Sequence, residues 1–522
     1  MNWKRPLALS TAALTLGTAL AACGNPTAAA PDPTPTPAAE VQSLSTTGST
    51  VKAPKYVFLF IGDGMSYPQI QSTSDFLGAL NDADYRQAQP SLDDNGGAIL
   101  DGPEYLNFMN FEAASSAVTY DSNSFAPDSA STATSISTGY KTYSGSINVD
   151  ETGTISYETI AEQLHAQKGY SVGVITSVNL NHATPAAFYA HQASRNDYYD
   201  IGLELIDSGF EYFAGGGLLK PTGAEGDQAD LYALAEKAGY HVVKTQAEAE
   251  QVTGGPVVII DEHLADSDAM AYEIDRTDDM WALADYVEKG IEVLSQDKDG
   301  FFMMCEGGKI DWACHANDAA STIHDTQALA DAVQVAIDFA KEHADETLIL
   351  VTGDHETGGL TIGFAGTDYD TYLDLLESQK ISYAKFDSDY VSRYKEDKTS
   401  FEDVLKDVEA LFGLKPQGEE GDKLVLTDYE LEQLRAAYEK SVNGTAASQY
   451  EQEEYVLYGT YEPLSVTLTH IINNKSGISF TSYSHTGLPV AVLAHGVNAG
   501  QFNGYYDNTQ IYHKLAGMLG IA

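Results

Sequence analysis

Short apolar runs that stop at a glycine and an acidic residue recur along the chain. Residues 55–61 stop at Gly62 and Asp63, and residues 347–352 stop at Gly353 and Asp354. An apolar run without polar alternation is typical of a strand that is buried on both faces, as strands of parallel sheets are. Further strand candidates are residues 171–175, 210–213, 300–304 and 490–494.

Helical stretches lie between several of these runs, including residues 157–167, 279–294 and 322–342. This alternation predicts an α/β fold with a mostly parallel central sheet and helices on both faces. In open sheets of this class, functional sites form at the carboxyl ends of the strands. Taken one at a time, Asp and Gly after a strand also fit ordinary turns.

Residues 366–460 have a different character from the rest of the chain. They are strongly charged and rich in tyrosine, with helical stretches at residues 401–411 and 428–440. We interpret them as a helical or irregular insertion, or cap, within one large domain of residues 53–522. The glycine-rich segment 413–421 is expected to be an exposed loop.

The N-terminus has the features of an export signal. Lys4 and Arg5 precede an apolar run at residues 7–22, which is short for a membrane-spanning helix and typical of a signal peptide. Small residues stand directly before Cys23, as in bacterial lipoprotein signals, in which the cysteine is lipidated. Residues 23–52 are rich in Pro, Thr and Ala, which favours an extended linker. We expect an exported protein that a lipid on Cys23 anchors to the outer face of a bacterial membrane, at the cell surface or in the periplasm. An ordinary secretory peptide is the alternative.

The charge balance excludes some partners. The chain has 28 Lys and Arg against 76 Asp and Glu, a formal net charge of −48. Such a field repels nucleic acid and anionic membrane surfaces. It also repels anionic substrates, so binding one needs local positive charge, which metal ions can supply. Most of the carboxylates are explained by a solvated surface. Cys305 and Cys314 are expected to be free and part of the packing.

Several motifs combine residue types that bind metal ions. Asp311 and His315 are four residues apart and can share one helical face, which suits zinc. Glu306 follows a strand candidate, and an extra carboxylate suits a harder ion such as magnesium. Asp354 and His355 are adjacent at a strand end. Taken alone, the segment from Glu306 to His315 also fits an ion-paired surface turn.

A further motif pairs Asp128 with Ser129 at the start of a run of small residues. Asp128 suits a helix N-cap and Ser129 the first turn. A phosphate bound at such a helix start is stabilised by free backbone N–H groups. On its own, this motif indicates an ordinary helix cap.

Taken together and in this order, the motifs resemble the alkaline phosphatases, from about residue 55 to the C-terminus and least across residues 366–460. The resemblance implies an alkaline phosphatase-like fold and the metal-dependent hydrolysis of small phosphate monoesters to alcohol and phosphate through a phosphoserine intermediate. It also implies a homodimer. The matching motifs are Asp63-Gly64-Met65, Asp128-Ser129-Ala130, His182-Ala183-Thr184-Pro185, Glu306 through His315, Asp354-His355 and Ser484-His485-Thr486-Gly487.

The same resemblance implies roles for individual residues. It makes Ser129 the nucleophile and Arg195 the phosphate clamp, since a guanidinium can bind two phosphoryl oxygens. It implies two zinc ions and one magnesium ion per chain. The implied ligands are Asp63, Asp354 and His355 for the first zinc, Asp311, His315 and His485 for the second zinc, and Asp63, Thr184 and Glu306 for magnesium.

The chain departs from the enteric bacterial members at two positions. Those members carry an aspartate where this chain has His182 and a lysine where it has Trp312. In having a histidine at position 182, the chain resembles the animal and some marine bacterial enzymes. We expect His182 to reach the third ion through water and not to be a direct ligand. Cys314 is interpreted as a packing residue, with a stray metal ligand as the alternative.

Two other functions are weighed against the leading one. Related phosphodiesterases and sulfatases typically use a threonine or a modified residue as nucleophile. A silent surface lipoprotein that binds phosphate or glycans would be expected to lack a metal ligand. Ser129, Arg195 and a complete third site argue against the first alternative, and the absence of any missing ligand argues against the second.

Overall fold

The computed structural model describes residues 52–82, 100–444 and 452–521. The predicted signal peptide, Cys23 and all of the predicted linker but residue 52 lie outside the described residues. Within those residues, no helix combines the length and the apolar character that a membrane crossing needs.

Fourteen strands occur in the described part of the chain, and ten of them form one central sheet. They are β1 (Tyr56–Gly62), β2 (Ala113–Val118), β3 (Ser171–Asn179), β4 (Tyr212–Gly216), β5 (His241–Val243), β6 (Val257–Ile260), β7 (Phe301–Gly307), β8 (Thr347–Gly353), β9 (Glu356–Thr357), β10 (Thr361–Ile362), β11 (Ile478–Ser479), β12 (His485–Thr486), β13 (Val490–Gly496) and β14 (Tyr505–Asp507).

The central sheet has the strand order β14-β2-β13-β8-β1-β7-β3-β4-β6-β5. Its pairings are parallel except those of β13, which is antiparallel to both β2 and β8. The predicted mostly parallel sheet is therefore confirmed. The pairs β10–β11 and β9–β12 are separate two-stranded antiparallel sheets.

Seventeen α-helices occur in the same residues. They are α1 (Tyr67–Asn81), α2 (Ser129–Thr138), α3 (Ile160–Lys168), α4 (Ala183–Ala186), α5 (Tyr198–Ser208), α6 (Leu231–Ala238), α7 (Gln246–Ala249), α8 (Leu283–Leu294), α9 (Lys309–His315), α10 (Ala319–Glu342), α11 (Tyr383–Phe386), α12 (Ser392–Asp397), α13 (Phe401–Phe412), α14 (Asp428–Tyr438), α15 (Gln452–Tyr458), α16 (Pro463–Ser476) and α17 (Thr509–Leu519).

Both faces of the sheet are covered, because successive side chains of a strand point to opposite faces. In β1, Val57 and Leu59 belong to an apolar cluster with residues of α2, α3, α5, α6 and α17. Phe58 and Phe60 belong to a second cluster with residues of α1, α8, α9 and α10. This packing explains why the strand is apolar throughout.

The six predicted strands all occur, with small shifts at their ends. Residues 210–213 were expected as a strand, whereas β4 begins two residues later and ends at Gly216. The predicted helix at residues 157–167 begins at Ile160, because Thr159 and Glu162 form a capping box there. The predicted helix at residues 279–294 begins at Leu283.

The described residues of segment 366–460 form helices α11 to α15 and contribute no strand to the central sheet. Their apolar side chains form a third cluster with residues of α16, and residues of α1 and the start of α10 pack into it. Residues 413–421 lie between α13 and α14, as expected for a loop.

Candidate active site

Three neighbouring strands bring carboxylates to one edge of the sheet. Gly62 at the end of β1 is paired with Gly307 of β7 and with Gly353 of β8. The residues beside these glycines are Asp63, Glu306 and Asp354, which are all fully buried. The equal register of the three strands is what gathers the acidic side chains.

Ser129 reaches the same edge from the start of α2. Asp128 caps this helix, because its Oδ1 accepts a hydrogen bond from the Ser131 N–H at 3.1 Å. Ser129 Oγ lies 3.1 Å from His355 Nε2 and 3.4 Å from Asp63 Oδ1. Its hydroxyl is therefore buried at the centre of the acidic edge, beside free backbone N–H groups of the helix start.

The first potential metal cluster consists of Asp63, Asp354 and His355, whose ligand atoms lie within 4.8 Å of one another. His355 Nε2 lies 3.3 Å from Asp63 Oδ1 and 3.4 Å from Asp354 Oδ2. The Asp354 carboxylate also accepts hydrogen bonds from the Gly64 N–H and the Thr132 hydroxyl. Burial, followed by the charge of Asp311, raises the pKa of Asp354 to about 7.

The second cluster consists of Asp311, His315 and His485. Helix α9 supplies Asp311 and His315, and His315 Nε2 lies 3.4 Å from Asp311 Oδ2. His485 arrives from β12, which is paired with β9, and its Nε2 lies 3.7 Å from Asp311 Oδ1. Burial alone would raise the pKa of Asp311, but the neighbouring imidazoles of His315, His485 and His355 hold that pKa far below its ordinary value.

Backbone carbonyls fix both imidazoles of the second cluster. Nδ1–H of His315 donates to the Tyr483 carbonyl at 2.7 Å, and Nδ1–H of His485 donates to the Pro127 carbonyl at 2.5 Å. In the neutral rings, each Nε2 therefore carries a free lone pair, and these two atoms lie 3.1 Å apart. This is the form in which histidine binds metal ions.

The third cluster consists of Asp63, His182 and Glu306. The Glu306 Oε2 atom accepts a hydrogen bond from Thr176, whereas Oε1 is buried without a hydrogen-bond partner in the described part of the chain. Burial raises the pKa of Glu306 to about 8. The predicted ligand Thr184 lies here too, with its hydroxyl 3.5 Å from Asp63 Oδ2.

Arg195 supplies positive charge beside Ser129. Its Nη1–H donates to Asp128 Oδ2 at 2.9 Å, and its Nη2 lies 3.2 Å from His182 Nε2. Burial alone would raise the pKa of Asp128, but the Arg195 guanidinium holds that pKa below its ordinary value. Ser129, Arg195 and the second cluster line one cleft with a volume of about 470 Å³.

All the residues predicted for the site are thus brought to one edge of the sheet. Sequence reasoning missed Thr357, whose hydroxyl contacts ligands of two clusters, and Tyr383 and Tyr461, which line the cleft. No sequence signal marks these three, because their contacts depend on the fold.

Cys305 and Cys314 are free and buried, as expected. The Cys314 thiol lies 3.5 Å from the Thr322 hydroxyl, and no potential metal cluster found in the described residues includes it.

Comparisons with known proteins give matches over most of the chain. The alkaline phosphatase family model matches residues 54–521. Alkaline phosphatase 3 of Bacillus subtilis is 31% identical over 390 residues, which cover 74% of this chain and 75% of that protein. Alkaline phosphatase 4 of the same organism is 29% identical over 460 residues, or 87% of this chain and 86% of that protein. Among solved structures, the cold-active alkaline phosphatase from Shewanella sp. matches with a TM-score of 0.70 and 28% identity, covering 89% of this chain and 99% of that one.

Proposed function

The chain belongs to the alkaline phosphatase family and is a metal-dependent phosphomonoesterase, and we propose that Ser129 is its nucleophile and carries the phosphoryl group as phosphoserine. The observation that supports this role is the position of the Ser129 hydroxyl. It lies within 3.4 Å of both His355 and Asp63, at the start of α2, in the cleft that Arg195 also lines.

The chemistry of the donor atoms fits divalent cations. The facing Nε2 lone pairs of His315 and His485, 3.1 Å apart, repel each other unless a cation lies between them and the carboxylate of Asp311. The unpartnered Oε1 of Glu306 is a buried acceptor of the kind that an ion satisfies. Burial, followed by neighbouring carboxylates, raises the pKa of Asp63 well above its ordinary value, which indicates that the cluster lacks positive charge of its own.

We infer two zinc ions and one magnesium ion from the types of donor. The first two clusters combine imidazole and carboxylate groups, which suit zinc. Asp63, Thr184 and Glu306 offer only oxygen, which suits magnesium. Asp63 can serve two ions, because its Oδ1 faces His355 and its Oδ2 faces Thr184. When bound, such ions screen the phosphoryl oxygens, activate an oxygen nucleophile and stabilise the departing alcohol oxygen.

His182 would support the third ion through water rather than serve as one of its direct ligands. Arginine has no acceptor, so Arg195 must donate to Nε2 of His182. Burial, followed by the charge of Arg195, lowers the pKa of His182 to about 3, so the ring is neutral and its proton lies on Nδ1. A protonated Nδ1 donates a hydrogen bond, which suits a water molecule at the ion better than the ion itself.

Arg195 and Ser129 have separate roles in the proposed hydrolysis. Arg195 binds the phosphoryl group through N–H donors that Asp128 and His182 do not use. The Ser129 hydroxyl loses its proton, its oxygen forms a bond to phosphorus as the bond to the alcohol oxygen breaks, and the alcohol oxygen takes up a proton. Water then forms a bond to phosphorus and displaces the Ser129 oxygen, which takes back a proton as phosphate is released. Two successive in-line displacements retain the configuration at phosphorus.

The test is phosphate release from a simple aryl phosphate, with and without a chelator, together with metal analysis of the purified protein. Phosphate release that is lost with the chelator and restored by zinc and magnesium is expected. Parallel assays on a phosphate diester and a sulfate ester address the related hydrolases, and a faster reaction with either would overturn the phosphomonoesterase assignment. Binding of phosphate without turnover would favour a catalytically inactive surface protein.

We also propose that the protein is exported and held at a bacterial membrane by a lipid on Cys23. The supporting observation is the sequence itself, in which small residues precede Cys23 and a linker rich in Pro and Thr follows it. Cys23→Ser should shift the protein from the membrane fraction to the soluble fraction in a bacterial host. An unchanged distribution would point to an ordinary secretory peptide.

A homodimer is the assembly that we propose. An apolar groove with a volume of about 590 Å³ lies between α1 and β13, and the exposed side chains of Tyr67 and Leu488 line it. A groove of this character suits an interface between two copies of the chain. Light scattering on the purified protein should give twice the chain mass, and Ile362→Asp in the groove should give the monomer mass.

A further inference from the structure

The cleft above Ser129 is larger than a phosphoryl group requires. Its volume of about 470 Å³ falls in the range of pockets that enclose a small organic molecule. Besides Ser129, Arg195 and the second cluster, three aromatic side chains line it: Trp312, Tyr383 and Tyr461. All three are only half-buried, so each keeps part of its surface in the cleft.

Tyr383 is held firmly on the wall of the cleft. Its backbone N–H donates to Asp318 Oδ2 at 3.0 Å, and its hydroxyl accepts a hydrogen bond from the Tyr272 hydroxyl at 3.2 Å. The Tyr272 ring is fully buried and meets the Tyr383 ring edge to face, with centroids 5.8 Å apart. The position of Tyr383 is thus fixed from both its backbone and its side chain.

Tyr461 continues the wall toward the second cluster. Its ring lies 5.6 Å from the Tyr383 ring at 85° and 6.2 Å from the Tyr483 ring at 31°. The Tyr483 hydroxyl donates to the Leu457 carbonyl, and the Tyr483 carbonyl accepts from His315. Tyr483 therefore contacts both the Tyr461 ring on the wall of the cleft and His315 of the second cluster.

Trp312 is fixed by a buried lysine. The Lys309 Nζ lies 4.6 Å from the Trp312 ring and 4.1 Å from the Tyr272 ring, and it forms a 2.6 Å ion pair with Asp266. The Trp312 ring also meets the His182 ring edge to face, with centroids 6.0 Å apart. One ammonium group thus lies against Trp312 and against the tyrosine that supports Tyr383.

We propose that Trp312, Tyr383 and Tyr461 form a subsite for the alcohol part of the ester, and that it selects a flat aromatic ring, as in an aryl or a nucleoside monophosphate. The inference rests on the proposed function of the same cleft. Aromatic faces that are fixed before binding stack on a planar ring at little entropic cost. The proposed subsite also gives a function to the insertion at residues 366–460, because Tyr383 belongs to the insertion and Tyr461 directly follows it.

The test compares esters that differ in aromaticity and little else. Adenosine 5′-monophosphate is paired with ribose 5-phosphate, and benzyl phosphate with cyclohexylmethyl phosphate, because each pair has similar leaving alcohols. The full chain loaded with metal should show kcat/KM at least about fivefold higher for the aromatic member of at least one pair, as expected for stacking on an aromatic side chain. A preference in the first pair alone identifies nucleosides as the ligand, and one in the second pair alone identifies aryl groups.

Variants of Tyr461 separate stacking from a structural role. Tyr461→Leu should reduce the preference to within about twofold, whereas Tyr461→Phe, which keeps the ring, should retain it. Tyr455→Leu is the matched control, because Tyr455 lies 6.3 Å from the Tyr483 ring but does not line the cleft. Metal content and melting temperature are measured for each variant.

The outcomes distinguish this inference from the proposed function. Absence of phosphate release from every ester would contradict the proposed function itself. Release without any aromatic preference in the unmodified protein would overturn the subsite. A preference that survives in a folded Tyr461→Leu protein, or that is lost equally in Tyr455→Leu, would overturn it as well.

Discussion

The hydroxyl of Thr357 donates a 2.5 Å hydrogen bond to the Oδ1 of Asp311, the carboxylate of the second cluster. The same oxygen lies 3.3 Å from Nδ1 of His355 in the first cluster. A hydroxyl has one proton to donate, so Thr357 must accept the hydrogen bond from Nδ1–H of His355. The lone pair of His355 is thereby left on Nε2, which faces Ser129, Asp63 and Asp354.

Thr357→Val should therefore weaken metal binding at both of the proposed zinc sites. The substitution keeps the shape of the side chain but removes the hydroxyl, so the tautomer of His355 and the orientation of Asp311 are no longer fixed. Loss of such a supporting group lowers metal affinity or activity by roughly 10- to 100-fold. Zinc content is measured by elemental analysis after dialysis against graded chelator. Thr357→Ser is the matched control, and equal zinc retention in the Val and Ser proteins would show that the hydroxyl has no such role.

The sequence predicts those parts of the site that depend on local pattern. Apolar runs that end in glycine placed Asp63 and Asp354 at strand ends, and the spacing of Asp311 and His315 placed them on one helical face. The positions of these residues follow from strand and helix periodicity alone. Their assignment to particular metal ions came from the family resemblance.

Other parts depend on contacts between distant segments and could not be predicted from local pattern, although the family resemblance implied His485. His485 reaches the second cluster through β12, a strand of two residues whose pairing with β9 leaves no periodic signal. The run at residues 490–494 predicted a strand but not that β13 is antiparallel to its neighbours, because burial on both faces looks alike in either direction. Thr357 and Tyr461 take part in the site only because the chain folds back on them.

Ser129→Ala should abolish turnover without emptying the metal sites. Ser129 is not one of the predicted metal ligands, so its removal leaves all of those ligands in place. Loss of a nucleophile typically lowers kcat by roughly a thousandfold or more. The measurement is phosphate release together with zinc and magnesium content. Ser131→Ala in the same helix is the control for damage to α2, and substantial turnover by the Ser129→Ala protein would exclude Ser129 as the nucleophile.

Arg195→Lys should weaken phosphate binding, although the positive charge is kept. A lysine cannot bind two phosphoryl oxygens with a planar fork, nor contact Asp128 and His182 at once. The loss of one charge-assisted hydrogen bond is worth about tenfold in affinity. Inhibition constants for inorganic phosphate and KM for an aryl phosphate are measured side by side. Arg393→Lys, at an exposed ion pair with Asp407, is the control. Unchanged phosphate inhibition in the Arg195→Lys protein would exclude Arg195 as the phosphate clamp.

The stability of the metal-free protein should fall as the pH rises. Burial raises the pKa of Glu306 to about 8 and that of Asp354 to about 7, so the folded metal-free protein binds more protons than the unfolded chain does. The stability that these groups contribute is fully present below the ordinary carboxyl pKa values near 4 and is lost as the pH rises through about 7 to 8. Bound cations replace the protons, so the metal-loaded protein should lack this loss. Urea denaturation between about pH 6 and about pH 9, with and without chelator, measures the difference. If the metal-free protein instead gains stability across this interval, the buried carboxylates are not the reason that its stability depends on metal ions.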